Sequence, residues 1–265
     1  MSHDLPLSAL IVDAGNSKVR LCGWRGGAED LRHSGLTGEG GLLPASPLVE
    51  LVVLETPTAT GAESFLNSLQ EVHASAATLP VVLSSVVPHV EASLRQLWPQ
   101  LKKIDHTCDL PFRVASPHPE NIGPDRLCNV AAAAACGCRR ALVIDAGTAT
   151  TFDLLLEGEF VGGLIAPGMA LAAACLGEAA ARLGPVPFED CSLEPGLDTA
   201  EAMRAGAFHV GVKGVEAVAE SLNRKYGPLQ LILTGGLGRY LTLSQSHYDP
   251  DWSLRGAAVM AGLPF

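Results

Sequence analysis

Ala9-Leu10-Ile11-Val12-Asp13-Ala14-Gly15-Asn16-Ser17-Lys18-Val19-Arg20 is the stretch whose reading decides the fold. An apolar run ends in Asp, then a small residue, then Gly, then polar side chains, and a second apolar run follows. This pattern predicts strands over 8–13 and 19–24, joined by a turn through Gly15-Asn16-Ser17-Lys18. The arrangement returns as Ala141-Leu142-Val143-Ile144-Asp145-Ala146-Gly147-Thr148-Ala149. A single strand followed by Asp-x-Gly is an ordinary turn. Two copies, each after an apolar strand, imply two related half-molecules that each offer a turn to one nucleotide. Gly15 and Gly147 let backbone approach a phosphate with no Cβ in the way. Asn16, Ser17, Thr148 and Thr150 supply neutral donors. Asp13 and Asp145 suit a metal or its waters, with Mg2+ offsetting phosphate charge. Thr234-Gly235-Gly236, after a third apolar run, is a further candidate nucleotide loop. None of these is a GxxxxGKS/T loop or a GxGxxG fingerprint.

Outward from these turns, the pattern predicts helices over 62–72 and 89–98, with a strand at 79–87 between them. The Pro-rich Ser116-Pro117-His118-Pro119 marks a boundary between domains at 1–117 and 118–265. Pro124 suits a first helical turn and opens an Ala-rich helix to about residue 136. Strands are expected at 140–145, 149–156 and 159–166, then a helix over 168–183 and a Pro-rich loop at 184–196. A long helix over 198–224, a strand at 229–233 and a last helix over 254–262 complete the chain. Strands mixed with helices on both sides of the boundary indicate two α/β domains.

The 265 residues are 48% hydrophobic and 17% charged, with a mean hydropathy of +0.26. That composition supports a buried core and excludes a disordered chain. A formal net charge of −10 argues against nonspecific nucleic-acid binding and against docking on anionic lipid. Backbone N–H groups still allow an anionic ligand. The seven cysteines are odd in number and scattered, which reads as reduced thiols in the cytoplasm. Cys136-Gly137-Cys138 lacks CxxC spacing and a second cluster, which argues against zinc. No basic stretch followed by a sustained apolar run marks a signal peptide, and no apolar segment is long enough to span a bilayer.

A second group of segments is more specific. Glu120-Asn121-Ile122-Gly123-Pro124-Asp125-Arg126, then Asp145-Ala146-Gly147-Thr148-Ala149-Thr150-Thr151, then Gly162-Gly163-Leu164-Ile165-Ala166-Pro167-Gly168 occur in that order. Ser84-Ser85-Val86-Val87-Pro88, Thr234-Gly235-Gly236 and Pro250-Asp251-Trp252-Ser253-Leu254-Arg255-Gly256 accompany them. Together they resemble the type III pantothenate kinases, from about residue 9 to residue 257. That family belongs to the acetate and sugar kinase, heat-shock 70 and actin superfamily.

The resemblance implies two duplicated ribonuclease-H-like domains with ATP in the cleft between them. It implies transfer of the γ-phosphate to the primary hydroxyl of pantothenate, the first step of coenzyme A biosynthesis. A monovalent cation (potassium or ammonium), Mg2+ and a homodimer are implied with it. By position, Asp125 falls where the family has its catalytic base. An alcohol is a poor nucleophile until a carboxylate accepts its proton. At a helix N-terminus Asp125 is expected to have its pKa held low and to be ionised. The residues alone leave catalysis and helix capping open for Asp125. Arg126 is positioned to bind the acceptor's carboxylate through its planar fork, or is a solvated first-turn arginine. Gly123 and Pro124 complete the substrate segment. Asp13 through Arg20, including Lys18, matches the first ATP-binding stretch, with Asp13 also a site for Mg2+. Asp145 matches the monovalent-cation ligand and Thr148 an ATP contact. Gly147, Gly235 and Gly236 line the nucleotide, and Gly162 and Gly163 are expected to allow close backbone approach beneath the phosphates.

Four positions depart from the family. Arg20 stands in place of Lys, Ser116 in place of an aromatic Tyr, Ala180 in place of the Thr of the substrate site, and Leu237 in place of an acid. Two expected acceptor contacts are thus missing, and two further readings follow: a divergent nucleotide-binding relative with a regulatory role, or a kinase for a different small alcohol.

Overall fold

The computed structural model describes residues 6–25, 47–179 and 186–263. It divides into two compact units. The first comprises residues 1–139, 158–160 and 251–265; the second comprises residues 140–157 and 161–250.

In the first unit, β1 (Ala9–Ala14) and β2 (Lys18–Trp24) form a hairpin with Asp13 opposite Arg20. A further strand, β3 (Leu48–Glu55), pairs antiparallel with β2. On the other side of β1 lies β4 (Val81–Ser85), parallel to it, and then β5 (Lys102–Lys103). The sheet order is β3-β2-β1-β4-β5. Every residue of β1 except Asp13 is buried, as expected of a central strand covered on both faces. Leu10, Val12, Leu21 and Leu83 form a core with Phe65, Leu69, Val90 and Leu94 of α1 (Ala62–Ser68), the segment after it, and α3 (Pro88–Leu97). The helix expected over 62–72 is two pieces, α1 and α2 (Gln70–Ala76), broken at Leu69.

The opposite face of this sheet carries α4 (Pro124–Ala135) and α7 (Trp252–Ala261). These two helices press together at Gly256. A Cβ there would collide with the carbonyl of Cys128. Trp252, fully buried, donates its Nε1–H to the Asn129 carbonyl at 2.9 Å. This long-range packing draws α4 and α7 into the first unit, so the compact units divide at Arg139–Arg140 and not at the Pro-rich segment. The short strand β6 (Arg113–Val114) pairs in this unit with Glu159 and Phe160, the opening residues of β9 (Glu159–Pro167).

The second unit repeats the plan. Its β7 (Arg140–Ala146) and β8 (Ala149–Leu156) are an antiparallel hairpin with Asp145 opposite Thr151. Parallel to β7 runs β10 (Gln230–Thr234), followed by β11 (Ser246–Tyr248). Apart from β6, which pairs with the first two residues of β9 and ends the sheet, the order is β11-β10-β7-β8-β9. Reversed, it reads β9-β8-β7-β10-β11 and matches β3-β2-β1-β4-β5 strand for strand. Leu142, Ile144, Phe152 and Leu231 pack against Phe208, Val212 and Val215 of α6 (Thr199–Tyr226), with Met169 of α5 (Met169–Ala179) beside them. Asp198 caps α6 by accepting from the Glu201 N–H at 2.8 Å, and the Glu201 carboxylate accepts from the N–H of Leu197, the residue before the cap, at 2.9 Å. Among the described residues, no helix is long and apolar enough to cross a membrane.

Candidate active site

Each unit places one Asp-Ala-Gly turn at the carboxyl end of its first strand. In the first unit the turn is closed by the Gly15 N–H donating to the Lys18 carbonyl at 3.0 Å. Thr56 braces it twice: its hydroxyl donates to the Gly15 carbonyl at 2.6 Å, and its N–H donates to the Ser17 carbonyl at 2.9 Å. Asn16, Ser17 and Lys18 are exposed. Asp13 is half-buried, with Arg20 and Ser84 beside it in register on the neighbouring strands. Arg20 does not stand open. Its Nη2 lies 2.6 Å from Asp251 Oδ1 and 3.3 Å from Glu50 Oε2.

Asp125 occupies the second position of α4, after Pro124. Its Oδ1 accepts from the Arg126 N–H at 2.9 Å. Gly123 makes room for it, since a Cβ at that position would strike the same oxygen. Burial raises the Asp125 pKa; the Arg126 backbone N–H, the Arg126 charge and its own N–H pull it down without prevailing. This corrects the expectation that the helix terminus holds it low. The terminal dipole acts on a group that packing has already taken from water, and the desolvation cost is the larger effect. Below Asp125 sits the Cys128 thiol. Burial pushes its pKa well up, Asp13 and Asp125 push it further, and the nearby Ser84 hydroxyl opposes them. The first unit thus brings Asp13, Ser84 and Asp125 into one neighbourhood.

In the second unit the turn is closed by the Gly147 N–H donating to the Ala149 carbonyl at 3.0 Å. Here the bracing is backbone on backbone. Gly168 donates its N–H to the Thr148 carbonyl at 3.0 Å, and a Cβ on Gly168 would strike the carbonyls of Gly147 and Thr148. Gly235 has φ of +78°, and a Cβ there would stand 2.5 Å from Asp145 Oδ1 and 2.7 Å from the Ala146 carbonyl. The Leu237 N–H donates to that carbonyl at 3.0 Å. Asp145, Gly147, Thr148 and Gly235 are therefore assembled at one place, with Gly236 beside them in open space. Gly162, expected to allow close approach, has nothing near its Cβ position; its φ of +105° is what requires glycine. The close approach belongs to Gly168, a role its place in the sequence did not disclose.

The donor chemistry suits the expected cations. Asp13 is a single hard oxygen donor, sufficient for Mg2+ when substrate phosphates and waters supply the other ligands. Thr234, in register with Asp145, is fully buried, and its Oγ1 finds no hydrogen-bond partner among the described residues. It offers a second oxygen beside the Asp145 carboxylate. Among the described residues there is no cluster of three or more His, Cys, Asp or Glu able to hold a metal. Of the departures, Ser116 Oγ accepts from the His118 N–H at 3.1 Å and is engaged in its own loop. Leu237 packs at the edge of the second core. Ala180 lies outside the described residues.

A strand order used twice, headed each time by an acidic glycine turn, defines the class: a protein of the ribonuclease-H-like, actin-type fold. Comparison with known proteins narrows it. The type III pantothenate kinase family profile matches residues 9–221. The type III pantothenate kinase of Acidiphilium cryptum is 37% identical over 190 residues, covering 68% of this chain and 71% of that one. The Akkermansia muciniphila type III pantothenate kinase is 35% identical over 232 residues, covering 83% and 91%. Among solved structures, a Campylobacter jejuni protein assigned to the Baf family of transcriptional activators superposes with a TM-score of 0.54 at 18% identity. It covers 96% of this chain and 97% of that one, a likeness of fold alone. The chain belongs to the type III pantothenate kinase family.

Proposed function

We propose that this protein phosphorylates the primary hydroxyl of pantothenate at the expense of ATP, giving 4'-phosphopantothenate for coenzyme A biosynthesis. The observation that carries the reading is the Asp125 carboxylate, half-buried at the start of α4 with Gly123 making room for it. Its raised pKa suits a general base that must accept a proton during attack and release it afterwards. In the step itself, the acceptor oxygen bonds to the γ-phosphorus, its proton passes to Asp125, and the bond to the β-phosphate oxygen breaks to release ADP. Arg126 holds the acceptor's carboxylate. The turns at Gly15-Asn16-Ser17-Lys18 and Gly147-Thr148, with Gly235 and Gly236, hold the nucleotide phosphates. Mg2+ at Asp13 and a monovalent cation at Asp145 and Thr234 would neutralise phosphate charge.

A homodimer in the cytoplasm completes the reading. Its support is the free state of the seven cysteines and the exposed Leu164, Ile165, Leu171 and Leu176 of the second unit, apolar side chains that a partner subunit would cover. The test is coupled ATP turnover with pantothenate, with and without potassium. Pantothenate-dependent ADP release is the expected result. Tight ATP binding without turnover on pantothenate or related alcohols would replace this reading with a regulatory one; turnover confined to another alcohol would keep the kinase and change its acceptor.

A further inference from the structure

The surface on which Arg126 rests takes the reading one step further, and the step depends on Arg126 as the carboxylate clamp. Phe160 opens β9 and is 1% exposed. Just before it, Glu157 and Gly158 turn the chain with φ of 51° and 77°. The Ala115 N–H donates to the Phe160 carbonyl at 3.0 Å, so backbone on both sides fixes where the ring stands. Phe112 meets that ring edge-on, with centroids 6.3 Å apart and planes at 82°. Over the ring lies the guanidinium of Arg126, its Cζ 5.3 Å from the centroid. Phe112, Ala115, Arg126 and Phe160 all belong to the first unit.

A ring attracts a guanidinium placed over it and limits the rotamers that the side chain samples. The N–H groups of a guanidinium radiate in its own plane, so a cation seated on a ring still presents a fork that pairs with a carboxylate. We propose that Phe160, buttressed by Phe112, is the positioning residue for Arg126, and that this aromatic seat selects acceptors bearing a carboxylate. Ser116, where the family resemblance leads one to expect an aromatic Tyr, is hydrogen-bonded within its own loop. The aromatic surface at Arg126 is supplied instead by Phe160.

The experiment compares pantothenate with pantothenol, in which a neutral hydroxymethyl replaces the carboxylate. Steady-state kinetics are measured for the unmodified chain, Phe160→Leu, Phe160→Tyr and Phe112→Leu, with thermal unfolding alongside. Phe160→Leu should raise the KM for pantothenate roughly five- to thirty-fold, with kcat and the KM for ATP held. The KM for pantothenol should stay put, and Phe160→Tyr should restore the KM for pantothenate. In an Arg126→Gln background, Phe160→Leu should no longer change the ratio between the two acceptors. Equal losses on both acceptors, or no change on either, overturn the proposal while leaving the kinase reading intact. If Phe160→Leu does not fold, Phe112→Leu reads the same ratio with the same two outcomes. An unmodified chain that phosphorylates neither acceptor takes down the kinase reading and this one with it.

Discussion

The two Asp-Ala-Gly turns stand at equivalent places in equivalent sheets and are held by different means. In the first, a threonine side chain clasps the loop: Thr56 donates through both its hydroxyl and its N–H. A Cβ on Gly15 would meet nothing closer than 3.6 Å. In the second, glycine backbones from two other segments lie directly on the turn, and Gly168 and Gly235 have no room for a side chain. One turn is adjustable and bears a cluster of charge, with Arg20, Glu50 and Asp251 at hand. The other is rigid and built of backbone. Fixed backbone donors act on phosphate without reorganising during reaction, so the second turn is suited to holding the nucleotide, while the first unit carries Asp125, the carboxylate proposed as the base.

The harshest way to break that division of labour is Asp125→Asn. The amide keeps an oxygen to accept the Arg126 N–H but cannot act as the base. Turnover should fall by about 10²–10⁴-fold, with nucleotide binding retained. Stability should move the other way. Burial raises the folded-state pKa of Asp125 above its unfolded value, so its favourable contribution is full below the unfolded pKa and is lost as pH rises through the folded one. At neutral pH the ionised group is a liability that asparagine removes. Thermal unfolding should give a higher Tm for Asp125→Asn at pH 7, and the gain should shrink as pH falls through the Asp125 pKa. The acidic limb of the kcat/KM profile for the unmodified chain should lie above the ordinary aspartate value. A variant that is less stable than the parent at pH 7 would contradict the burial argument.

Next in size are the glycines. Gly168→Ala and Gly235→Ala should each cost about 1–3 kcal/mol by overpacking against backbone that cannot yield, with positive φ adding to the cost at Gly235. Gly15→Ala should stay within about 0.5 kcal/mol. Urea unfolding of the three variants gives the measurement. Equal costs at all three positions would erase the distinction between an adjustable turn and a rigid one.

The strands that carry the turns were readable because Asp-Ala-Gly after an unbroken apolar run has few other structural meanings. Everything that depended on distant partners was hidden. Gly168 and Gly162 look alike in the sequence, yet one is glycine because carbonyls of another segment lie against it and the other because of its backbone angle. The sign of the Asp125 shift was misjudged because helix position is local and visible, whereas burial is tertiary. The break at Leu69 and the strand Leu48–Glu55 were missed for different reasons. Leu69 is a good helix former that the core claims from both sides, and β3, partly exposed along its length, lacks the continuous apolar run that marks a buried strand. The boundary expected at 117/118 was set by proline, while the compact units follow the fit of Gly256 on Cys128. The roles of Asp125 and Arg126 came from resemblance to a family, since the residues by themselves left helix capping equally open.

The smallest expected effect separates the two cations of the first turn. The family resemblance leads one to expect a lysine at the place of Arg20, and positional matching alone makes Arg20 a phosphate ligand. Its Nη2, however, pairs with Asp251 at 2.6 Å, a residue 231 positions away in the chain, and with Glu50 at 3.3 Å. Two carboxylates already offset its charge, so it adds little attraction for a polyanion. Lys18 is exposed on the turn itself and no salt bridge ties it among the described residues. Lys18→Ala should therefore raise the KM for ATP about two- to fivefold, with the difference fading in high salt as screening weakens an exposed charge. Arg20→Ala should leave the KM for ATP nearly unchanged and lower the Tm instead, because Asp251 and Glu50 lose the cation between them. If Arg20→Ala proves the more damaging to ATP affinity, the guanidinium leaves Asp251 when nucleotide arrives, and the first turn is more adjustable than its side-chain clasp implies.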